Sequence, residues 1–141
     1  MGVNDVFGNW LGNKKIGLAI GSEIPYELAT LPNNGEVFAK IAKLCQLEKV
    51  EQIVIGMPIM DSGDEGNFSD RIEEFGRKLK EMTKKAIYFE PENLTTQTAL
   101  ELLREGGAAA EEIEAKVDQL SARLILEQYI ANKEETSQEA L

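Results

Sequence analysis

FGNWLGNKKIGLAIG, residues 7–21, sets the reading of the chain. Residues 6–11 and 15–20 are short apolar runs separated by Gly12, Asn13 and Lys14, the signature of a hairpin. The turn is rich in glycine, asparagine and lysine, the composition of a phosphate-cradling turn. The end of the first run carries Trp10, where a metal-dependent enzyme needs a carboxylate. An active site, a former one, or a plain hairpin would each produce this pattern.

Composition narrows the chemistry. The chain has 141 residues, 43% hydrophobic and 28% charged, as expected of one globular domain with room for a core. It has no histidine, which excludes Ser-His and Cys-His catalysis and any histidine-ligated zinc site. The single cysteine, Cys45, cannot form a disulfide within the chain and reads as a small buried apolar residue. Chemistry must therefore use carboxylates, lysines, hydroxyls or a bound metal. No apolar run approaches the ~20 residues of a membrane span, and the N-terminus lacks the regions of a signal peptide. The expectation is a cytoplasmic protein with no membrane contact.

The formal net charge of -10 repels nucleic acid overall, since affinity for it comes mostly from phosphate neutralisation. Lys14 and Lys15 form one local basic patch, and Lys78, Lys80, Lys84 and Lys85 another at a helix end. The first is read as either a solvated turn or a phosphate contact, the second as a solvated helix end.

Beyond the hairpin, YELATL adds a third strand, and residues from Val37 to Cys45 follow helical spacing. EQIVIGMP is a buried parallel strand feeding a glycine-rich loop. A helix over 69–84 follows, with Ile72, Phe75, Leu79 and Met82 on one stripe. AIYFE is another strand, Thr95 a helix N-cap, and Gly106-Gly107 that helix's stop. The last helix is expected over 109–131, with Ile113, Val117, Leu120, Leu124 and Tyr129 as its core stripe. This order predicts an α/β fold: a mixed sheet with helices on both faces, in one domain over 1–132 and a frayed polar tail over 133–141.

Sites in open α/β sheets form at the carboxyl ends of strands. Those ends carry Glu65, Glu90 and Glu92. The last helix adds Asp118, followed by Ser121, Ala122 and Ile125 at i+3, i+4 and i+7. A carboxylate on so small and apolar a stripe lies close to the sheet, and burying it alone is costly. Carboxylates gathered from separate strand ends are what a two-metal phosphodiesterase uses, because magnesium takes hard oxygen ligands. With 25 acids in the chain, spacing alone is weak support.

Four motifs in order add a family resemblance over residues 6–131. GNKKIGLAIG resembles the opening GTKRIGLA of the YqgF/RuvX family, and IVIGMPIMDSGDEG resembles its IVVGLPLNMDGSEG. ENLTTQTALELLREGG resembles DERLTTVEAERLLREAG, and KVDQLSARLILEQYI resembles VIDKLAAVLILQGYL. Members are described as pre-16S rRNA nucleases or Holliday junction resolvases. The resemblance implies a ribonuclease H-like fold with a five-stranded mixed sheet, magnesium or manganese as cofactor if the chain is active, and structured RNA or branched DNA as partner. It implies Glu92 and Asp118 as metal ligands, with Lys14, Lys15 and Asn93 toward nucleic acid.

The family pattern is not complete. In a gapless match Trp10 falls at the family's first-strand aspartate, Pro91 at a second aspartate and Asn93 at an arginine. Asp5, the nearest acid, stands before the expected strand. Two functions follow: a metal-dependent nuclease of weak or lost activity, or a non-catalytic homologue acting through an RNA or protein partner.

Overall fold

The computed structural model describes residues 2–6, 15–21, 23–58, 65–92 and 95–136. The elements are β1 (Gly2–Val6), β2 (Lys15–Gly21), β3 (Tyr26–Pro32), α1 (Val37–Leu47), β4 (Gln52–Pro58), α2 (Glu65–Thr83), β5 (Ala86–Glu92), α3 (Thr95–Glu105) and α4 (Ala110–Thr136). The described strands form one sheet in the order β3-β2-β1-β4-β5. β1 pairs antiparallel with β2 and parallel with β4, and β4 pairs parallel with β5, so the sheet is mixed.

The element order matches the sequence pattern, but the first strand does not sit where that pattern puts it. The apolar run over 6–11 predicts a strand there; β1 is Gly2–Val6 instead. Asparagine and aspartate disfavour strands, yet Asn4 and Asp5 are hydrogen-bonded into the centre of the sheet. Pairing on both sides of β1 outweighs its local preference. Trp10 lies outside the described residues, and Asp5 stands inside the strand rather than before it. At the other terminus α4 runs through Thr136, past the stop expected near Ala131. Asn132 to Thr136 includes Lys133, Glu134 and Glu135, good helix formers that let the turn propagate.

Alternation in the strands divides the core between the two faces. Ile16, Leu18 and Ile20 of β2, with Ile53 and Ile55 of β4 and Ile87 of β5, meet Val37, Ile41 and Cys45 of α1 and Ile72, Phe75 and Leu79 of α2. Each such aliphatic side chain contributes about 1.5–3 kcal/mol when fully buried. On the opposite face Ala19 and Val54 meet Ala122, Ile125, Leu126 and Tyr129 of α4. Met82, expected on the α2 stripe, is 52% exposed, one turn beyond the last residue that reaches the sheet. Cys45 is buried as expected, and burial pushes its thiol up to about 11, which leaves it inert at neutral pH.

Two glycines let α4 lie on the sheet. A Cβ built at Gly17 runs into the backbone carbonyl of Asp118, whereas one built at Gly56 meets only the Cδ1 of Ile125, at 2.5 Å. A side-chain tip can change rotamer and a helix backbone cannot. Gly17→Ala should therefore cost about 3 kcal/mol and Gly56→Ala about 1 kcal/mol, read by urea denaturation. Ile125→Val should restore the Gly56→Ala protein and not the Gly17→Ala protein. Equal losses for the two alanines would contradict this account.

Candidate functional site

β1, β4 and β5 run in one direction, so their carboxyl ends at Val6, Pro58 and Glu92 emerge on one edge of the sheet. The start of the antiparallel β2, at Lys15, lies on the same edge. α4 crosses this end of the sheet. Asp118 lies over Gly17 of β2, Ile125 over Gly56 of β4, and Gln128 reaches Glu90 of β5. The rise from Asp118 to Ile125 is about 10.5 Å, and the step from β2 across β1 to β4 is about 9.6 Å. The helix axis therefore runs across the strands rather than along them.

Asp118 is held against the sheet by its own stripe. Ser121, Ala122 and Ile125 are 0%, 0% and 1% exposed, the small face expected from their spacing. Burial raises the Asp118 pKa above its ordinary value, and the Lys15 ammonium works the other way. Lys15 is exposed at the start of β2 and pairs with Glu114, one helical turn before Asp118, at 3.7 Å. So exposed a pair contributes at most about 1 kcal/mol. The Ser121 hydroxyl, one turn after Asp118, is buried without a hydrogen-bond partner.

The β5 end of the site is a second buried carboxylate. Glu90 is 8% exposed and stands in register with Gly56. Gln128 Nε2 donates to Glu90 Oε2 at 2.5 Å and to the Pro91 carbonyl at 2.8 Å. Pro91 has no amide hydrogen to offer a ladder, which a strand at the sheet edge tolerates. The Tyr129 ring packs on Tyr88 with centroids 5.5 Å apart, and burial, Tyr88 and Glu90 together raise its phenol pKa.

The structure thus puts Asp118, Lys15 and the backbone of Glu92 on one edge of the sheet. Glu92 closes β5 in register with Pro58. Trp10, Lys14 and Asn93 lie outside the described residues. In β1, Asp5 is in register with Leu18 and Ile55, and Val6 with Gly17. The second lysine group belongs elsewhere: it follows from the end of α2 into the start of β5, at the opposite edge, where Lys78 sits 5.9 Å from the Phe38 ring centre. Gln128 is a residue the sequence reading missed. Its signal was available, since i+10 from Asp118 falls on the same flank of the helix as Ser121.

Among the described residues, no three acid, histidine or cysteine side chains cluster as a metal site. The donor chemistry of the edge still fits a hard divalent cation. Burial raises the Asp118 pKa despite the Lys15 ammonium, and a bound cation would relieve that cost.

A raised carboxylate pKa means that ionised Asp118 opposes folding at neutral pH. The penalty fades as pH falls through the folded-state pKa and is gone below the ordinary value of 3.8. In chelator, Asp118→Asn should melt at a higher temperature than wild type at neutral pH, and the gap should close on acidification. Thermal melts across that range check it; a variant less stable at neutral pH would count against a desolvated Asp118.

Comparison with known proteins follows this geometry. The family profile RuvX, described as "Holliday junction resolvase", matches residues 5–132. A protein of Protochlamydia amoebophila named "Putative pre-16S rRNA nuclease" is 31% identical over 140 residues, covering 91% of this chain and 93% of that one. One of Shewanella oneidensis with the same name is 31% identical over 137 residues, covering 94% and 97%. Among solved structures, Thermus thermophilus RuvC in complex with a Holliday junction substrate superposes with a TM-score of 0.54 at 11% identity, covering 93% of this chain and 96% of that one. That likeness shows the fold, which is ribonuclease H-like and RuvC-like. The chain belongs to the RuvX family, also called YqgF.

Proposed function

We propose that this protein is a single-domain RuvX nuclease that engages structured RNA, the pre-16S rRNA leader, with magnesium- or manganese-dependent cleavage weaker than that of its relatives. The substrate class follows the names of the relatives. The observation that carries the weaker rate is the register of β1. The position opposite Gly17, beneath the helix that presents Asp118, is Val6 and not an acid; Asp5 is one residue away. A one-residue offset in a strand exchanges its two faces.

In this reading Glu92 from β5 and Asp118 from α4 hold a divalent ion between two elements of fixed geometry. The ion supplies Lewis-acid polarisation of the phosphate when bound. Without a third carboxylate between them, its charge is under-compensated. Lys15, already at the edge, Lys14 beside it in sequence, and Asn93 next to Glu92 are assigned to the phosphate backbone. Lys15 can leave Glu114 for a phosphate at small cost, because that pair is exposed and weak. A non-catalytic homologue acting through an RNA or protein partner is the second reading; the same register favours it, and the -10 net charge favours the protein partner.

The test is cleavage of a labelled pre-16S leader, with a four-way DNA junction beside it, in manganese and in magnesium. The Shewanella relative serves as reference. The expected result is leader binding with cleavage slower by about two or more orders of magnitude, and residual cleavage lost in Glu92→Gln and Asp118→Asn. Cleavage at the reference rate would overturn the weakened site. Residual cleavage unaffected by either substitution would overturn the assignment of these acids.

A further inference from the structure

Gln128 ties α4 to the strand end carrying Glu92, and nothing in the family pattern assigns it a role. Its amide nitrogen has two hydrogens and faces two acceptors, Glu90 Oε2 at 2.5 Å and the Pro91 carbonyl at 2.8 Å. Only the nitrogen side of the amide can satisfy both, since an amide oxygen turned toward a carboxylate would be repelled. One acceptor is charged, which makes that bond among the stronger ones. The other is the backbone immediately before Glu92. The same helix carries Asp118 ten residues earlier, its backbone pressed on Gly17.

We propose that Gln128 is a positioning residue for the divalent-ion site: by clamping Glu90 and the Pro91 carbonyl to α4, it sets the spacing between Glu92 and Asp118. The inference rests on the assignment of those two acids as ion ligands. Its physical basis is an edge strand that needs pinning. Among the described strands β5 has a neighbour on one side only, and Pro91 contributes no donor to a ladder. The clamp replaces that missing restraint with one from the helix that bears the partner acid. Glu90 serves as the anchor: it is buried, in register with Gly56, and its carboxylate has been taken out of water to receive the amide.

Manganese affinity of the full chain, read from the loss of the free-ion electron paramagnetic resonance signal, tests this without any turnover. Gln128→Leu keeps the bulk and removes the donor, and Gln128→Glu sets a second carboxylate against Glu90. Both should weaken manganese binding by about tenfold or more, measured well below the melting temperature of each variant, because the buried Glu90 carboxylate loses its donor. Glu90→Gln keeps an acceptor for the clamp and should retain affinity close to wild type. Glu92→Gln and Asp118→Asn serve as controls. If the controls lose binding and Gln128→Leu does not, the clamp is overturned and the ion site stands. If Glu90→Gln loses as much as Glu92→Gln, Glu90 is itself a ligand and the positioning role is overturned. If wild type and controls bind alike, the ion-site assignment falls and the clamp with it.

Discussion

The backbone of α4 at Asp118 lies directly on the bare Cα of Gly17. There is no room for a Cβ between them. Everything at the functional edge follows from that contact. It brings a helix to within backbone distance of a strand next to the centre of the sheet. It also fixes the depth at which the Asp118 carboxylate sits, half-buried and short of counter-charge. From there the helix crosses the strands at a rise that matches their spacing, so Ile125 meets β4 and Gln128 meets β5 in turn. A glycine in the motif GNKKIGLAIG is therefore a packing requirement for the acid, whatever the hairpin turn beside it does.

Charge on α4 is arranged to the same end. Arg123 bridges Glu27 of β3 and Glu127 of its own helix at 3.1 Å each, and Lys15 of β2 reaches Glu114. These pairs are at least partly exposed and add little net energy. They do hold the outer flank of the helix in neutralised form, while the carboxylates that face the sheet, Asp118 and Glu90, meet an unequal treatment. Glu90 receives an amide, whereas among the described residues Asp118 is opposed by the Lys15 ammonium alone. One buried acid is built as structure, the other is the proposed ion ligand, and the two lie on the same helix-to-sheet seam.

Much of this was legible from residue patterns. The four motifs name the family, the order of elements is that of the structure, and the small stripe Ser121, Ala122, Ile125 correctly places Asp118 against the sheet. Cys45 is the inert core thiol its surroundings suggest. The first strand was not legible, and the reason is physical. Gly2–Val6 contains Asn4 and Asp5, whose local preference is against a strand, while residues 6–11 look more apolar. A strand paired on both sides is chosen by its neighbours. The α4 stripe was half legible for a related reason. Leu120 and Tyr129 are buried as expected, but Ile113, Val117 and Leu124 are only partly so, and the fully buried positions are Ser121, Ala122, Ile125 and Leu126. The helical flank of Gln128 was legible from its spacing to Asp118, but its two partners were not, because they come from a strand 37 and 38 residues away in sequence.

The placement of β1 changes what the missing acid means. From sequence, the deficit seems to lie at Trp10, as a substitution of one side chain for another. In the sheet, the strand that pairs with β2 and β4 is Gly2–Val6, and the family profile begins its match at residue 5. Asp5 is therefore an acid on the central strand; Val6 stands opposite Gly17, and Asp5 opposite Leu18, so under the proposed reading the difference is one of register. The distinction has energetic content. Replacing an acid by an aromatic residue removes a charge from the site altogether, whereas a register offset leaves that charge in the strand and moves its place in the ladder. A register in a sheet with both faces covered is held by every buried side chain of the strand at once, so it does not drift. Under the proposed reading, the pairing of β1 governs the site, and the two neighbours that set that pairing are the strand under Asp118 and the strand beside Glu90.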